Sequence, residues 1–401
     1  MAFAGGSITL KRFSVTGTAP ARADEAMIQA LAAHAIGADS LRAADHLEVG
    51  WITGEHILDT DFSFARNAVA DGLHWAMRID CHRPPADLVR SYCRENERAM
   101  LQATGREFLS RTEKREAREQ ALARADQEAR AGAFRRMKSI PVFWDFRRGE
   151  VYLGTAAATA MEAFATLFRD TFDLEAVPLS AGELAARWSA RTGESRYFED
   201  CKPAFFVPPP EGVDPAEDLP GGDEARSRDF LGSEWLTWLW YAAEVESPEI
   251  AVAPGRAVAV FFEKTLELKC AFNLSGAVSV RADDPAGLPE SHVALAGGKR
   301  PVRAGLQIAA AGEAFGLTLR GDAMSCSGIR LSPPTEASTP RDVFEDRMQK
   351  LRELIEALDG LYGVFLRRRL SGKWPATLNA IRNWTAAGAA GPQRRVEPAV
   401  S

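Results

Sequence analysis

Two hydrophobic periods alternate along this chain. Residues 7–17 (SITLKRFSVTG) and 72–81 (GLHWAMRIDC) read as strands. Ile140, Val142, Trp144 and Phe146 share one face by period two, Arg148-Gly149 supplies a turn, and Val151 to Leu153 returns, which predicts a β-hairpin. Elsewhere the spacing is three and four. Met27, Leu31 and His34 mark a helix within 23–35, and Met161, Phe164, Phe168 and Phe172 form the stripe of an amphipathic helix after the hairpin. SAGE (180–183) is a capping box ahead of a helix carrying Trp188. Residues 85–130 are helical in character and lose apolar side chains as they proceed.

The clearest element comes late. Phe344, Met348, Leu351, Ile355, Leu358, Tyr362 and Phe365 alternate four- and three-residue steps, the seam of a helix that packs against a neighbour. Thr339-Pro340 supplies its cap and first turn. Leu351, Leu358 and Phe365 on that seam are candidates for an interface with a second copy or another partner. Upstream, an aromatic helix from residue 231 is expected to bury Trp235, Trp238 and Leu239, and residues 251–331 turn to short strands. The expected organisation is an N-terminal half 1–201, a Pro- and acid-rich linker or long loop 202–230, the aromatic helix with a β-rich region 231–335, a helical segment 336–385 and a disordered tail 386–401. The fold class is α+β, with small antiparallel sheets and helices and no internal repeat.

Composition narrows the setting. A chain of 401 residues suggests two or three domains, and 46% hydrophobic with 26% charged residues is globular rather than disordered. No apolar run is long enough to span a bilayer, and MAFAGGSITLKRF lacks the pattern of a secretory leader. Five scattered cysteines fit a reducing cytoplasm better than a disulfide framework. The net charge of −6 argues against a uniformly basic coat but leaves room for a local basic face.

Such a face is visible in the middle of the chain. Between Gly105 and Lys138 ten basic residues meet six acids, and after Arg130 the acids stop, leaving Arg135, Arg136 and Lys138 without a local partner. Charge runs are ordinarily solvated helices held by i,i+4 pairs, but uncompensated cations are what phosphate binding needs. The second cluster, Arg367 to Arg369 with Lys373 and Arg382, is equally well read as cations favoured at a helix C-terminus. Candidate chemistry is thin. Cys81-His82 with Cys93 has the wrong spacing for a zinc knuckle, Glu267-x-Lys269 stands without an acidic partner, and Ser291-His292 lacks a third member. Phosphate-binding loops of the G-x-x-x-x-G-K-[ST] and G-x-G-x-x-G types are absent, so no catalytic residue and no cofactor or metal site is expected.

Against these residues, the chain resembles the RdgC family of recombination-associated proteins. The carrying segments are Gly50-Trp51, the helix GREFLSRTEKREARE (105–119), AGAF (131–134), the hairpin FWDFRRGEVYLGTA (143–156) and VPLS (177–180) with Trp188 one helix later. GAVSVRADD (276–284) and AGGKRPVRAGLQI (296–308) match the second half more loosely. The resemblance implies a multi-lobed, horseshoe-like subunit, two of which close into a ring. It also implies binding of double-stranded DNA through the ring without sequence preference and without a catalytic step, and a restraint on RecA-promoted strand exchange. Two positions depart from the family: its Arg in Pro-Arg-Ala-Phe is Gly132 here, and Arg281 is followed by Ala282-Asp283 in place of basic and amide residues.

The leading expectation is therefore a cytoplasmic, nucleoid-associated, homodimeric DNA-binding protein that modulates recombination. Arg135, Arg136, Lys138, Arg147, Arg148, Arg281, Lys299, Arg300 and Arg303 are its candidate phosphate contacts, and Phe134 an apolar contact at a subunit junction. A metal-dependent exonuclease, motivated by an old family label and Glu267-x-Lys269, and a protein-interaction scaffold using the Phe344–Phe365 seam remain the alternatives.

Overall fold

The structure, a computed structural model, describes residues 3–37, 41–43, 47–213, 227–334 and 339–389. Its strands in chain order are β1 Ile8–Thr16, β2 Leu41–Ala43, β3 Leu47–Ile52, β4 Ala68–Val69, β5 Gly72–Cys81, β6 Arg136–Asp145, β7 Glu150–Leu153, β8 Glu175–Pro178, β9 Glu249–Ala253, β10 Arg256–Cys270, β11 Val278–Val280, β12 Lys299–Ala310, β13 Glu313–Arg320 and β14 Ser325–Arg330. The class is α+β as expected, but the antiparallel sheet is large where small sheets were expected, because the strands of 249–330 pair on with β1 and β7 instead of closing into small sheets of their own. Two units emerge, interleaved in sequence rather than consecutive: unit one takes the described residues of Met1–Val15, Gly149–Ala157 and Ala176–Ser401, unit two those of Thr16–Arg148 and Ala158–Glu175.

In unit two, β6, β5, β3 and β2 pair antiparallel in that order, and β4 adds to β5. β5 covers the predicted 72–81 strand end to end. Trp51, Trp75 and Trp144 are fully buried and meet the stripe of helix Ala158–Phe172: Trp51 lies 6.2 Å from Phe164, Trp75 6.1 Å from Phe172 and Trp144 5.2 Å from Phe168, ring centre to ring centre. The Trp51 indole N–H donates to Thr171 Oγ1 at 2.8 Å, so its polar atom is satisfied inside the core. β6 departs from a simple in–out alternation: Pro141 and Phe143 are buried as well as Ile140, Val142 and Trp144.

Residues 85–130 form two helices, Ala86–Thr104 and Arg111–Arg130. Ser110 and Glu113 close a reciprocal capping box at the start of the second. Its charged sequence hides an alanine stripe: Ala117, Ala121, Ala125 and Ala129 are buried at four-residue spacing, and Ala121 and Ala125 pack with Tyr92, Leu88, Val89 and Cys93.

In unit one the sheet runs β11-β10-β12-β13-β14-β1-β7, antiparallel wherever the register is defined, with β9 on β10 and β8 on β1. The aromatic helix Phe230–Tyr241 and the long helix Pro340–Arg369 pack on it and on each other, with Trp235 5.1 Å from Tyr362 and Trp238 5.9 Å from Phe365. Gly232 allows the close approach, because a Cβ there would lie 2.1 Å from the Gly321 carbonyl oxygen. Thr339 caps the long helix as predicted, with Asp342 completing the box.

Part of the expected linker is built into this unit. Ala204 and Phe206 are buried, and Phe205 stacks on Phe272 at 5.4 Å. The acidic stretch 214–226 lies outside the described residues, as does 390–401 of the expected tail; residues 386–389 belong to the helix Trp374–Ala389. Among the described residues, no helix is long and apolar enough to cross a membrane.

Buried ion pairs lock unit one. Arg12 on β1 donates to both oxygens of Glu150 on β7, at 2.9 and 2.8 Å, and to both oxygens of Asp359 on the long helix, at 2.7 and 2.9 Å. Arg369 donates to Glu234 at 2.6 Å, and the second Glu234 oxygen accepts the Ala204 N–H at 2.6 Å.

Two outcomes are expected. Arg12→Met removes the guanidinium that pairs with the buried Glu150 and the half-buried Asp359 and costs about 3–5 kcal/mol in urea unfolding, and adding Glu150→Gln restores part of it. His74, buried in β5, is pushed down from 6.5 to about 4 by burial. The unfolded chain therefore binds a proton that the folded chain refuses. The His74 contribution is present above pH 6.5 and is lost as pH falls from 6.5 to about 4, by up to about 1.4 kcal/mol per pH unit. In His74→Gln that slope is absent, as read from unfolding midpoints across a pH series.

Candidate nucleic-acid interface

The basic centre sits in unit two, where the chain leaves helix Arg111–Arg130 and enters β6. Register sorts its cations. Arg136 stands opposite Cys81 and Lys138 opposite Ile79, so both share a face with uncharged neighbours, whereas Asp80 stands opposite Met137 on the other face. The side chains of Arg136 and Lys138 are exposed and make no ion pair or hydrogen bond among the described residues.

Arg135 corrects the sequence reading. It lacks an acid nearby in sequence but has one 55 residues away: Asp80 Oδ2 accepts its Nε at 2.9 Å and its Nη2 at 2.5 Å. Asp80 is fully buried and also accepts two hydrogen bonds from Arg78, at 2.7 and 2.6 Å. Burial acts to raise the Asp80 carboxyl, but the two guanidiniums outweigh it and hold it below the usual carboxylate range. Arg135 thus anchors the entry to β6 while part of its side chain stays exposed.

Arg147 is exposed and paired with Asp71, and Arg148 is half-buried. Phe134, half-buried, holds a left-handed backbone with φ 66°, uncommon for a bulky residue. Gly132 is left-handed too, at φ 92°, with open space around its Cα. Backbone conformation, not room, favours glycine there, so an arginine at this position would be strained.

The remaining cations lie in unit one. Arg281 is exposed after β11. Lys299 Nζ donates to Ser275 Oγ at 2.8 Å and the Gly276 carbonyl at 2.5 Å, and Arg300 is half-buried. Arg303 is exposed in a cross-strand row, between Glu267 on β10 and Arg320 on β13. Glu267 therefore faces an arginine across the strand. Arg320 and Arg330 join the exposed side of this sheet, paired with Asp322 and Glu263; strand alternation in β13 and β14 was the signal for them that sequence reading passed over.

Leu351, Leu358 and Phe365 are buried within unit one itself. The seam packs on this chain's own aromatic helix, which leaves none of that surface for a second copy.

Cys81 ends β5, and Cys93 packs in the helical cluster with Tyr92. Burial pushes the Cys201 and Cys326 thiols up to about 11 and about 12, so neither forms a thiolate near neutral pH. Among the described residues, no group of three or more His, Cys, Asp and Glu side chains is placed to hold a metal ion.

No known family model matches this chain, and no curated protein matches it.

The two kinds of cation should separate by stability. Arg135→Gln removes a partner of a buried carboxylate and is expected to cost about 1–3 kcal/mol. Arg136→Gln and Lys138→Gln are expected to stay within about 0.5 kcal/mol, measured by urea unfolding.

Proposed function

We propose that this protein binds the phosphate backbone of double-stranded DNA without sequence preference, through the surface at the start of β6. The observation that carries this reading is the pair Arg136 and Lys138, exposed, on one strand face and without an acidic partner among the described residues. Cations free of protein carboxylates release counterions when they meet phosphate, the main source of non-specific affinity. Arg135 adds to the field, since Arg78 and Arg135 together carry one charge more than Asp80 neutralises. Arg281 and Arg303 are further phosphate contacts in this reading; Lys299 and Arg147 are weaker ones, being tied to protein groups.

The RdgC resemblance supplies the rest of the proposal: a homodimeric ring around the duplex, association with the nucleoid, and restraint of RecA-dependent strand exchange. A second copy in such a ring must use surface other than the buried seam.

Mobility shift of linear duplex across a salt series tests the reading. Wild-type protein is expected to retard DNA at low salt, with affinity falling steeply as salt rises. Arg136→Glu with Lys138→Glu should weaken binding and flatten the slope by about 0.9 for each phosphate that the variant no longer neutralises. Absence of retardation at low salt, or an unchanged slope in the double variant, would sink the proposal. The same mixtures with Mg²⁺ or Mn²⁺ decide the nuclease alternative: DNA shortened by the protein would replace this reading with an enzymatic one.

A further inference from the structure

A cavity of about 840 Å³ opens in unit one beside the end of the aromatic helix. Three rings in mutual contact line it: Trp240 from that helix, His292 from helix Pro289–Ala296 and Trp384 from helix Trp374–Ala389. Their centres lie 5.2 Å (Trp240–His292), 5.4 Å (Trp240–Trp384) and 5.6 Å (His292–Trp384) apart. Glu244 projects from the π-helical turn Ala242–Glu246, a kind of irregularity often found at functional sites. It accepts the Trp240 indole N–H at 3.0 Å and faces His292 Nε2 at 3.5 Å. Asp283 and Asp284, both exposed, line the same cavity.

The electrostatics are one-sided. Among the described residues no Lys or Arg lines this cavity, and of its carboxylates only Glu263 pairs with lysine or arginine, Lys264 and Arg330, while Glu244 faces His292. His292 is about nine-tenths buried, yet its Nδ1 has no hydrogen-bond partner, and Trp384 Nε1 is also buried without one. Buried polar atoms in a native protein ordinarily have partners. The volume falls in the range of small-molecule pockets, several hundred Å³. Indole faces attract cations, and exposed carboxylates reinforce that attraction.

We propose that this cavity binds a small organic cation, an amine or quaternary ammonium carried on an aromatic or alkyl body. The charged nitrogen lies toward Glu244 and Asp283, and the body rests against Trp240 and Trp384. Anionic compounds are repelled by the same carboxylates. This site does not rest on the DNA reading and stands or falls separately from it.

Calorimetric titration of the full chain with three indole probes tests the proposal: tryptamine, a cation; tryptophol, its neutral alcohol counterpart; and indole-3-acetate, an anion. Tryptamine is expected to bind, tryptophol about tenfold more weakly, and indole-3-acetate not at all. Asp283→Asn, at an exposed position, and Glu244→Gln, which keeps an acceptor for the Trp240 N–H, should each weaken tryptamine while leaving tryptophol unchanged. Trp384→Ala should weaken both. Tryptophol binding as tightly as tryptamine, or no heat from any probe at roughly millimolar concentration, overturns it. So does tryptamine binding that Asp283→Asn leaves untouched, a variant whose fold is checked by its unchanged melting temperature.

Discussion

Burying a guanidinium is costly unless nearly every N–H finds an acceptor, and Arg12 meets that condition with two carboxylates gripped through both oxygens. Glu150 belongs to β7 and Asp359 to the long helix, so one side chain on β1 fixes a neighbouring strand and an overlying helix at once. The adjacent residue, Lys11, points the opposite way from the strand and donates to the Leu179 and Ala323 carbonyls. Burial pushes its amine down to about 8. Two adjacent cations thus tie β1 on both sides. The long helix, placed by Asp359, in turn brings Tyr362 and Phe365 against the aromatic helix and Arg369 to Glu234.

The same logic of pairing separates scaffold from surface in unit two. Arg135 and Arg147 are answered by Asp80 and Asp71, which are distant in sequence; Arg136 and Lys138 are answered by nothing among the described residues. A basic run is therefore a mixture: some members hold the chain, and the others leave their charge open at the surface. The register between β5 and β6 makes the division, because alternation puts Asp80 on one face and the two open cations on the other.

Unit one carries the opposite polarity at its cavity, which Glu244, Asp283 and Asp284 line together with Trp240 and Trp384, with no lysine or arginine among the described lining residues. An acidic protein with a local basic strand and a local acidic, aromatic hollow has charge arranged by site rather than by average. The net charge of −6 describes neither place.

Periodicity alone determined the elements whose signal is local. The 72–81 strand, the phenylalanine stripe of helix Ala158–Phe172, the Thr339 cap and the seam of the long helix were all legible, because pleat, helical turn and cap each involve residues within a few positions of one another. Tertiary structure decided what those elements face. The Phe344–Phe365 seam reads the same whether it meets a second chain or its own, and only packing on Trp235 and Trp238 settled it as internal. The Arg135 pair spans 55 residues, and the cavity gathers Trp240, Asp283, His292 and Trp384 from separate segments. Ion pairs and cavities act through space over a few ångströms, a distance that sequence order does not encode, so the unpaired cations of β6 and the carboxylates lining the cavity became distinguishable only once the chain was folded.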